Sequence, residues 1–271
     1  MATQDQIEQY HDQGYFIADD AVEPEMLEAL TKAARGAADK VRSGEVVDDS
    51  DKIRVKGEGK EPHLIRGLTA PEYGDPVFAE YLESGPVECY VRPFLGEVLR
   101  LGWVALFAIR GPSQYDTGWH RDFSHEERDG SEEVELEILS RHRKNLLKWH
   151  VALVDDSCLW VVPGSQRRYR TDQEREVLIK KGRDDILDQR QIEVKKGRTI
   201  FWNGNLVHRG RMSEQMPERL TLLGSLVKHQ EDDPFEELDE TYRWRLADNF
   251  RDTLPGKTKL FYDRWRSLQK V

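Results

Sequence analysis

Residues 197–223 read GRTIFWNGNLVHRGRMSEQMPERLTLL, and this stretch decides the fold class. Residues 199–202 are an apolar, β-prone run bracketed by Gly197 and Gly204, and a second run starts at Leu220 and continues to 228. Short runs of this kind between glycine turns are strand signals. Working back along the chain, the same pattern recurs at 99–109, 146–154, 158–162 and 191–194, with Pro163-Gly164-Ser165 closing one of them. Many short strands with Gly/Pro turns indicate a β-sandwich or jelly roll.

Helices flank these strands. Residues 3–13 read as a short helix running into a strand at 15–18. Pro24 opens a helix to about 43, with Met26, Leu27, Leu30, Ala33, Ala34, Ala37 and Val41 at helical spacing and Gly44 as its stop. One or two helices span 76–97, interrupted at Gly85-Pro86. Thr171-x-x-Glu174 is a capping box for another. From Phe235 the tail is predicted helical, with Phe235, Leu238, Tyr242, Leu246 and Phe250 on one face and Phe261, Trp265 and Leu268 on another. That apolar tail fits packing on the core or an oligomer formed through the C-terminal helices. The expectation is a single domain over 1–271, mainly β with packed helices (α+β): a helical part over 1–98, a β core over 99–230 and a helical tail over 234–271.

Seven Trp, nine Tyr and nine Phe within a hydrophobic fraction of 38% argue for a folded interior, since disordered chains lack such residues. The net charge of −10 disfavours nucleic acid as a partner. Cys89 and Cys158 are too few for a disulfide framework and suit a reducing compartment. No apolar run approaches a membrane span, so a soluble, cytoplasmic protein is expected. Two charged stretches stand apart. Residues 45–62 read as a mobile loop, and 124–144 as a lid, a substrate-facing insertion or a solvated excursion, with a short helix at 132–139.

The chemistry-bearing residues are His120, Asp122 and His208, followed by Arg219. His-x-Asp offers a nitrogen and an oxygen from one short segment, and His208 follows 88 residues later from another part of the fold. Two imidazoles and one carboxylate on one face of an octahedron leave three positions open, which suits a non-haem Fe(II) oxygenase. The same donors can hold zinc for hydrolysis, although the H-E-x-x-H helix signature of many such enzymes is missing. Arg219, eleven residues after His208 in a strand-like run, could grip a carboxylate. Two basic clusters, Arg141-His142-Arg143-Lys144 and Arg167-Arg168 with Arg170, would suit an anionic small-molecule substrate or simply pair with nearby acids.

Three ordered blocks carry a family resemblance: TGWHRD at 117–122, WHVALVDDSCLWVVPGSQ at 149–166, and the opening stretch at 197–223. With Asp12-Gln13-Gly14-Tyr15-Phe16-Ile17 near the start, they resemble the phytanoyl-CoA dioxygenase (PhyH) family of Fe(II)- and 2-oxoglutarate-dependent oxygenases. The resemblance implies a double-stranded β-helix (cupin-like jelly-roll) core. It implies iron held by His120, Asp122 and His208, 2-oxoglutarate as cosubstrate with its far carboxylate on Arg219, and O₂ as oxidant. The implied outcome is hydroxylation of a small metabolite with formation of succinate and CO₂. Trp149 looks similar to a family aromatic beside the cosubstrate, with a core tryptophan as the plainer reading. If Trp149 points in, His150 points to the other sheet face and is no iron ligand. His125 lies in the charged insertion, within reach of substrate or on the surface. The chain departs from the pattern at Gln166, where the family has histidine, and at Arg121 and Gly210. A non-catalytic small-molecule-binding relative and a zinc-dependent hydrolase are the alternatives.

Overall fold

The computed structural model describes residues 1–46, 55–58, 60–122, 131–180, 182–231 and 240–269. The chain begins with α1 (Gln4–Gln13), β1 (Tyr15–Ala18), α2 (Pro24–Ser43), β2 (Val55–Glu58), β3 (Glu61–Arg66), α3 (Val77–Leu82) and α4 (Gly85–Leu95). There follow β4 (Leu99–Arg110), α5 (Glu132–Asn145), β5 (Leu146–Ala152), β6 (Asp156–Val161), α6 (Asp172–Ile179), β7 (Arg190–Val194), β8 (Thr199–Trp202), β9 (His208–Gly210), β10 (Glu218–Lys228) and α7 (Gly256–Ser267). Local chemistry sets the helix ends. Thr3 and Gln6 form a capping box on α1, as Thr171 and Glu174 do on α6. Pro24 opens α2 and Gly44, at φ 82°, closes it in the left-handed region.

The large sheet has the order β1-β8-β5-β10-β4-β3-β2, and the small one β7-β6-β9. Bridges Asp116↔Arg211 and His120↔His208 lay the segment 116–120 beside β9 as a fourth, irregular member of the small sheet. Four strands of the large sheet (β8, β5, β10, β4) thus oppose four of the small one, with antiparallel pairing throughout. This is a double-stranded β-helix with helices packed on its outer face.

Alternation along the central strands divides the molecule into two interiors. Leu147, Trp149 and Val151 of β5, with Phe201 and Leu222, face outward and join Leu30, Phe78, Tyr81 and Val91 in the main apolar core under the helices. Full burial of each such side chain contributes about 1.5–3 kcal/mol. Gly224 stands opposite Trp149 in the register, where a Cβ would sit 2.4 Å from the indole, so only glycine lets the ring lie flat on β10. The other face looks between the sheets. One end is apolar, with Leu159, Val161, Ile192, Ile200 and Leu206. The other opens into a cavity.

Three expectations change. The loop expected over 45–62 contains the edge strand β2 and begins its neighbour β3, which the charged composition of the stretch hid; residues 47–54 and 59 lie outside the described residues. Within the charged insertion, α5 is a docked helix rather than a solvated excursion. Leu139 is buried, and Glu135 lies between Arg121 and Arg170 in a buried cluster. Residues 123–130, with His125, lie outside the described residues. The tail is partly 3-10 helix, at Glu240–Leu246 and Arg251–Thr253, while Phe235 and Leu238 lie outside the described residues. Phe261 and Trp265 of the expected second face are buried in the chain's own core, with Tyr262 beside them. No described helix is long and apolar enough to cross a membrane.

Candidate active site

His120 and His208 are brought together by backbone pairing. Each donates its N–H to the other's carbonyl at 2.9 Å, and the two ring centroids lie 4.3 Å apart. The rings are locked by matching contacts: His120 Nδ1 lies 2.9 Å from the Gly118 carbonyl, and His208 Nδ1 lies 2.8 Å from that of Leu206. A carbonyl only accepts, so both Nδ1 atoms carry the proton and both Nε2 lone pairs are left available. Asp122, two residues beyond His120, places Oδ1 3.8 Å from His208 Nε2. One donor atom from each residue lies within 4.8 Å of the others, and among the described residues this is the group that could hold a metal ion. Nδ1 anchoring with Nε2 ligation is the usual outer-shell arrangement of metal-bound histidine.

The electrostatics suit that use. Burial, reinforced by neighbouring His120, lowers His208 to about 3 despite Asp122, keeping the imidazole neutral. Burial also works against the charge of Asp122, but the Lys148 ammonium outweighs it and holds the carboxyl below the usual range. A neutral imidazole at His208 and an ionised Asp122 are the states a divalent cation requires of these ligands.

Arg219 reaches the same cavity, of about 720 Å³, from β10. Its Nε donates to Asp156 Oδ2 at 3.0 Å, and its guanidinium lies 3.8 Å from the centroid of Phe107. Asp156 is itself fixed, by the Thr221 hydroxyl and by the Cys158 N–H at 2.7 Å. Burial opposes its charge, yet Arg219 and these donors bring it down to about 2. Arg219 Nη1 is buried without a hydrogen-bond partner among the described residues. A buried, unpaired guanidinium N–H costs free energy until an anion meets it. The donor set and this orphaned N–H therefore fit a metal and a carboxylate-bearing cosubstrate together.

Trp149 is not part of this cavity. It faces the helical core, edge-on to Tyr81 at 6.5 Å, and the cosubstrate position proposed for it is corrected accordingly. The strand alternates as expected with the faces exchanged, so Lys148 and His150 line the cavity instead. His150 is pushed down to about 3 by burial and then by Arg219, and packs edge-on against Trp202 at 5.2 Å. Lys148, His150 and Asp156 were overlooked as site residues. For Lys148 and His150 the signal was present in β5, where polar residues alternate with apolar ones on a strand buried on both faces; Asp156 begins β6 and had no such signal.

Arg167, Arg168 and Arg170, the described members of the basic clusters, do not line the cavity. Arg167 pairs with Asp12, Arg168 with Glu174, and Arg170, whose side chain is fully buried, with Glu135. The side chains of 141–144 lie outside the described residues.

Compared with known proteins, residues 10–216 match the model of the phytanoyl-CoA dioxygenase (PhyH) family. The chain belongs to that family. The family is one of Fe(II)- and 2-oxoglutarate-dependent oxygenases using O₂. No curated protein sequence matches the chain. Among solved structures, EctD from S. alaskensis with 2-oxoglutarate and 5-hydroxyectoine superposes with a TM-score of 0.63 at 19% identity, covering 84% of this chain and 78% of that one. AviO1 from Streptomyces viridochromogenes Tue57 gives 0.59 at 18%, covering 87% and 98%. The non-heme α-ketoglutarate-dependent epimerase SnoN from nogalamycin biosynthesis gives 0.57 at 15%, covering 83% and 80%. At these identities the likeness shows the fold. The departures from the PhyH pattern have structural accounts. Gln166 ties α1 down through the His11 carbonyl at 3.0 Å, and Arg121 binds Glu135 of α5. Gly210 leaves room for Tyr115, whose ring would lie 3.1 Å from a Cβ there.

Proposed function

We propose that this oxygenase hydroxylates an unactivated C–H bond of a small molecule. Fe(II) would be held by His120, Asp122 and His208, and 2-oxoglutarate would be held through its far carboxylate by Arg219. The observation that carries the reading is the joint one: three metal-competent donors and a buried guanidinium with an unpaired N–H line one cavity. When bound, the iron couples oxidative decarboxylation of 2-oxoglutarate to insertion of oxygen into substrate.

The chain's own residues orient and exclude. The Gly118 and Leu206 carbonyls fix the ring planes of the two histidines. Asp156 and the Phe107 face hold the Arg219 guanidinium so that little rotamer freedom is lost when a carboxylate docks. Trp103, Phe107, Trp202 and Leu223 give the cavity an apolar lining, and its volume suits a metabolite-sized ligand. Lys56 and Arg66 also line it, which favours a substrate with an anionic group. A zinc hydrolase would use the same three donors but has no task for Arg219. A non-catalytic binding relative has no need for donors preset for a metal.

The test is anaerobic addition of Fe(II) and then 2-oxoglutarate to metal-free protein, watching for the visible charge-transfer band of an iron-chelated 2-oxoacid. The expected result is a band that His208→Ala abolishes together with iron binding. A folded, metal-loaded protein that gives no band would overturn the proposal.

A further inference from the structure

The two oxygens of Asp122 are not equivalent. Oδ1 faces His208 Nε2 at 3.8 Å, on the side where the two imidazole lone pairs converge. Oδ2 is in contact with the ammonium of Lys148. That lysine is itself a built feature. Its side chain is only 8% exposed, and its Nζ lies 4.8 Å from the Trp103 ring centroid and 5.4 Å from that of Trp202. Gly204 makes the approach possible, because a Cβ there would lie 2.8 Å from Asp122 Oδ2 and 3.4 Å from Lys148 Cε. A buried ammonium next to a metal site repels the incoming cation and costs desolvation. An apolar residue would fill the space without either penalty, so the lysine calls for an explanation.

We propose that Lys148 is a positioning residue that holds Asp122 to one metal bond. The inference rests on reading His120, Asp122 and His208 as the metal site. A carboxylate can bind a metal through one oxygen or both, and the second mode consumes an additional coordination position. Two imidazoles and a single carboxylate oxygen leave three of six positions free. A chelating 2-oxoacid takes two of them and O₂ needs the third. A bidentate Asp122 would leave only two. An ammonium hydrogen-bonded to Oδ2 competes directly with the metal for that oxygen, through a strong charge-assisted contact. The indole faces of Trp103 and Trp202 stabilise the cation where water is scarce. The cost of the arrangement is weaker metal binding, and the gain is a site that keeps room for both cosubstrates.

The prediction is testable without turnover, using Mn(II) as the probe because it takes the same ligands without oxidising. Hyperfine broadening by ¹⁷O-labelled water counts the exchangeable waters on bound Mn(II). The unaltered protein is expected to show three waters, Lys148→Met two, and Lys148→Arg, which keeps a cationic donor, three again. Lys148→Met should also bind Mn(II) roughly tenfold more tightly or better, since a like charge has been removed from beside the metal. Equal water counts and equal affinity in the unaltered protein and Lys148→Met would refute the inference while leaving the metal site intact. Absence of Mn(II) binding to the unaltered protein would instead refute the metal site itself. A second measurement needs no variant: the splitting of the ¹³C-labelled aspartate carboxylate stretches on Mn(II) binding is wide for one metal bond and narrow for two. A narrow splitting in the unaltered protein overturns the proposal even if Lys148→Met does not fold.

Discussion

Replacing Arg219 with lysine isolates the part of cosubstrate binding that depends on guanidinium geometry. In the proposed reading the arginine serves two anions at once. Nε is committed to Asp156 Oδ2 at 3.0 Å, while Nη1 has no partner and is available to the far carboxylate of 2-oxoglutarate. A lysine keeps the charge, so Asp156 is not stranded, but a single ammonium cannot span both positions from the same backbone site. The loss is one buried charge-assisted hydrogen bond, worth about 1.5–3 kcal/mol. That corresponds to a rise of roughly 10- to 150-fold in the dissociation constant for 2-oxoglutarate. Anaerobic titration of 2-oxoglutarate into the Fe(II)-loaded protein, followed by its charge-transfer band, measures this directly. Fe(II) affinity without 2-oxoglutarate should be unchanged, because Arg219 is absent from the donor cluster. A dissociation constant within twofold of the unaltered protein would refute the assignment of the far carboxylate to Arg219. Arg219→Met is the less informative substitution: it leaves Asp156 buried without its cation and costs about 3–5 kcal/mol of stability, confounding binding with folding.

Two further outcomes follow from buried charge. His150 has a folded pKa of about 3 against an ordinary 6.5, so its neutral form is the one the fold tolerates. As pH falls below 6.5 the unfolded chain takes up a proton that the folded one refuses. Stability is therefore fully present above about 6.5 and drains away as pH drops toward 3, by at most about 5 kcal/mol. Urea titrations of metal-free protein across that range should show the loss, and His150→Phe should flatten the slope by about one proton; an unchanged slope would mean that His150 is not the titrating group. Glu135→Gln should destabilise the protein by about 3 kcal/mol, because Arg121 and Arg170 lose the carboxylate they share in the buried cluster. A urea-derived change below about 1 kcal/mol would show that α5 is not anchored through this cluster.

The fold and the site were legible to different depths, for physical reasons that individual residues make plain. His120, Asp122, His208 and Arg219 could be picked out because spacing around strand ends survives in the linear sequence, and the structure brings all four to one cavity. The face of β5 was misjudged because this sheet has no solvent side: helices cover one surface and the small sheet the other, so no exposed polar row marks the outside. The strand nevertheless carried the answer. Leu147, Trp149 and Val151 are apolar on one parity, whereas Lys148 and His150 are polar on the other. On a strand buried on both faces, the polar parity belongs to a cavity, since an unpaired polar side chain against a packed apolar layer is too costly. β2 was hidden for the opposite reason: an edge strand that protects itself with charge looks like a loop. Arg170 read as part of a surface cluster, yet it pairs with Glu135, as Arg121 does, and the position of Glu135 on α5 is supplied only by the three-dimensional structure. Sequence spacing exposed the residues proposed to act on a ligand, while the part played by those that hold them in place, Lys148 and Asp156 above all, became visible only through their partners.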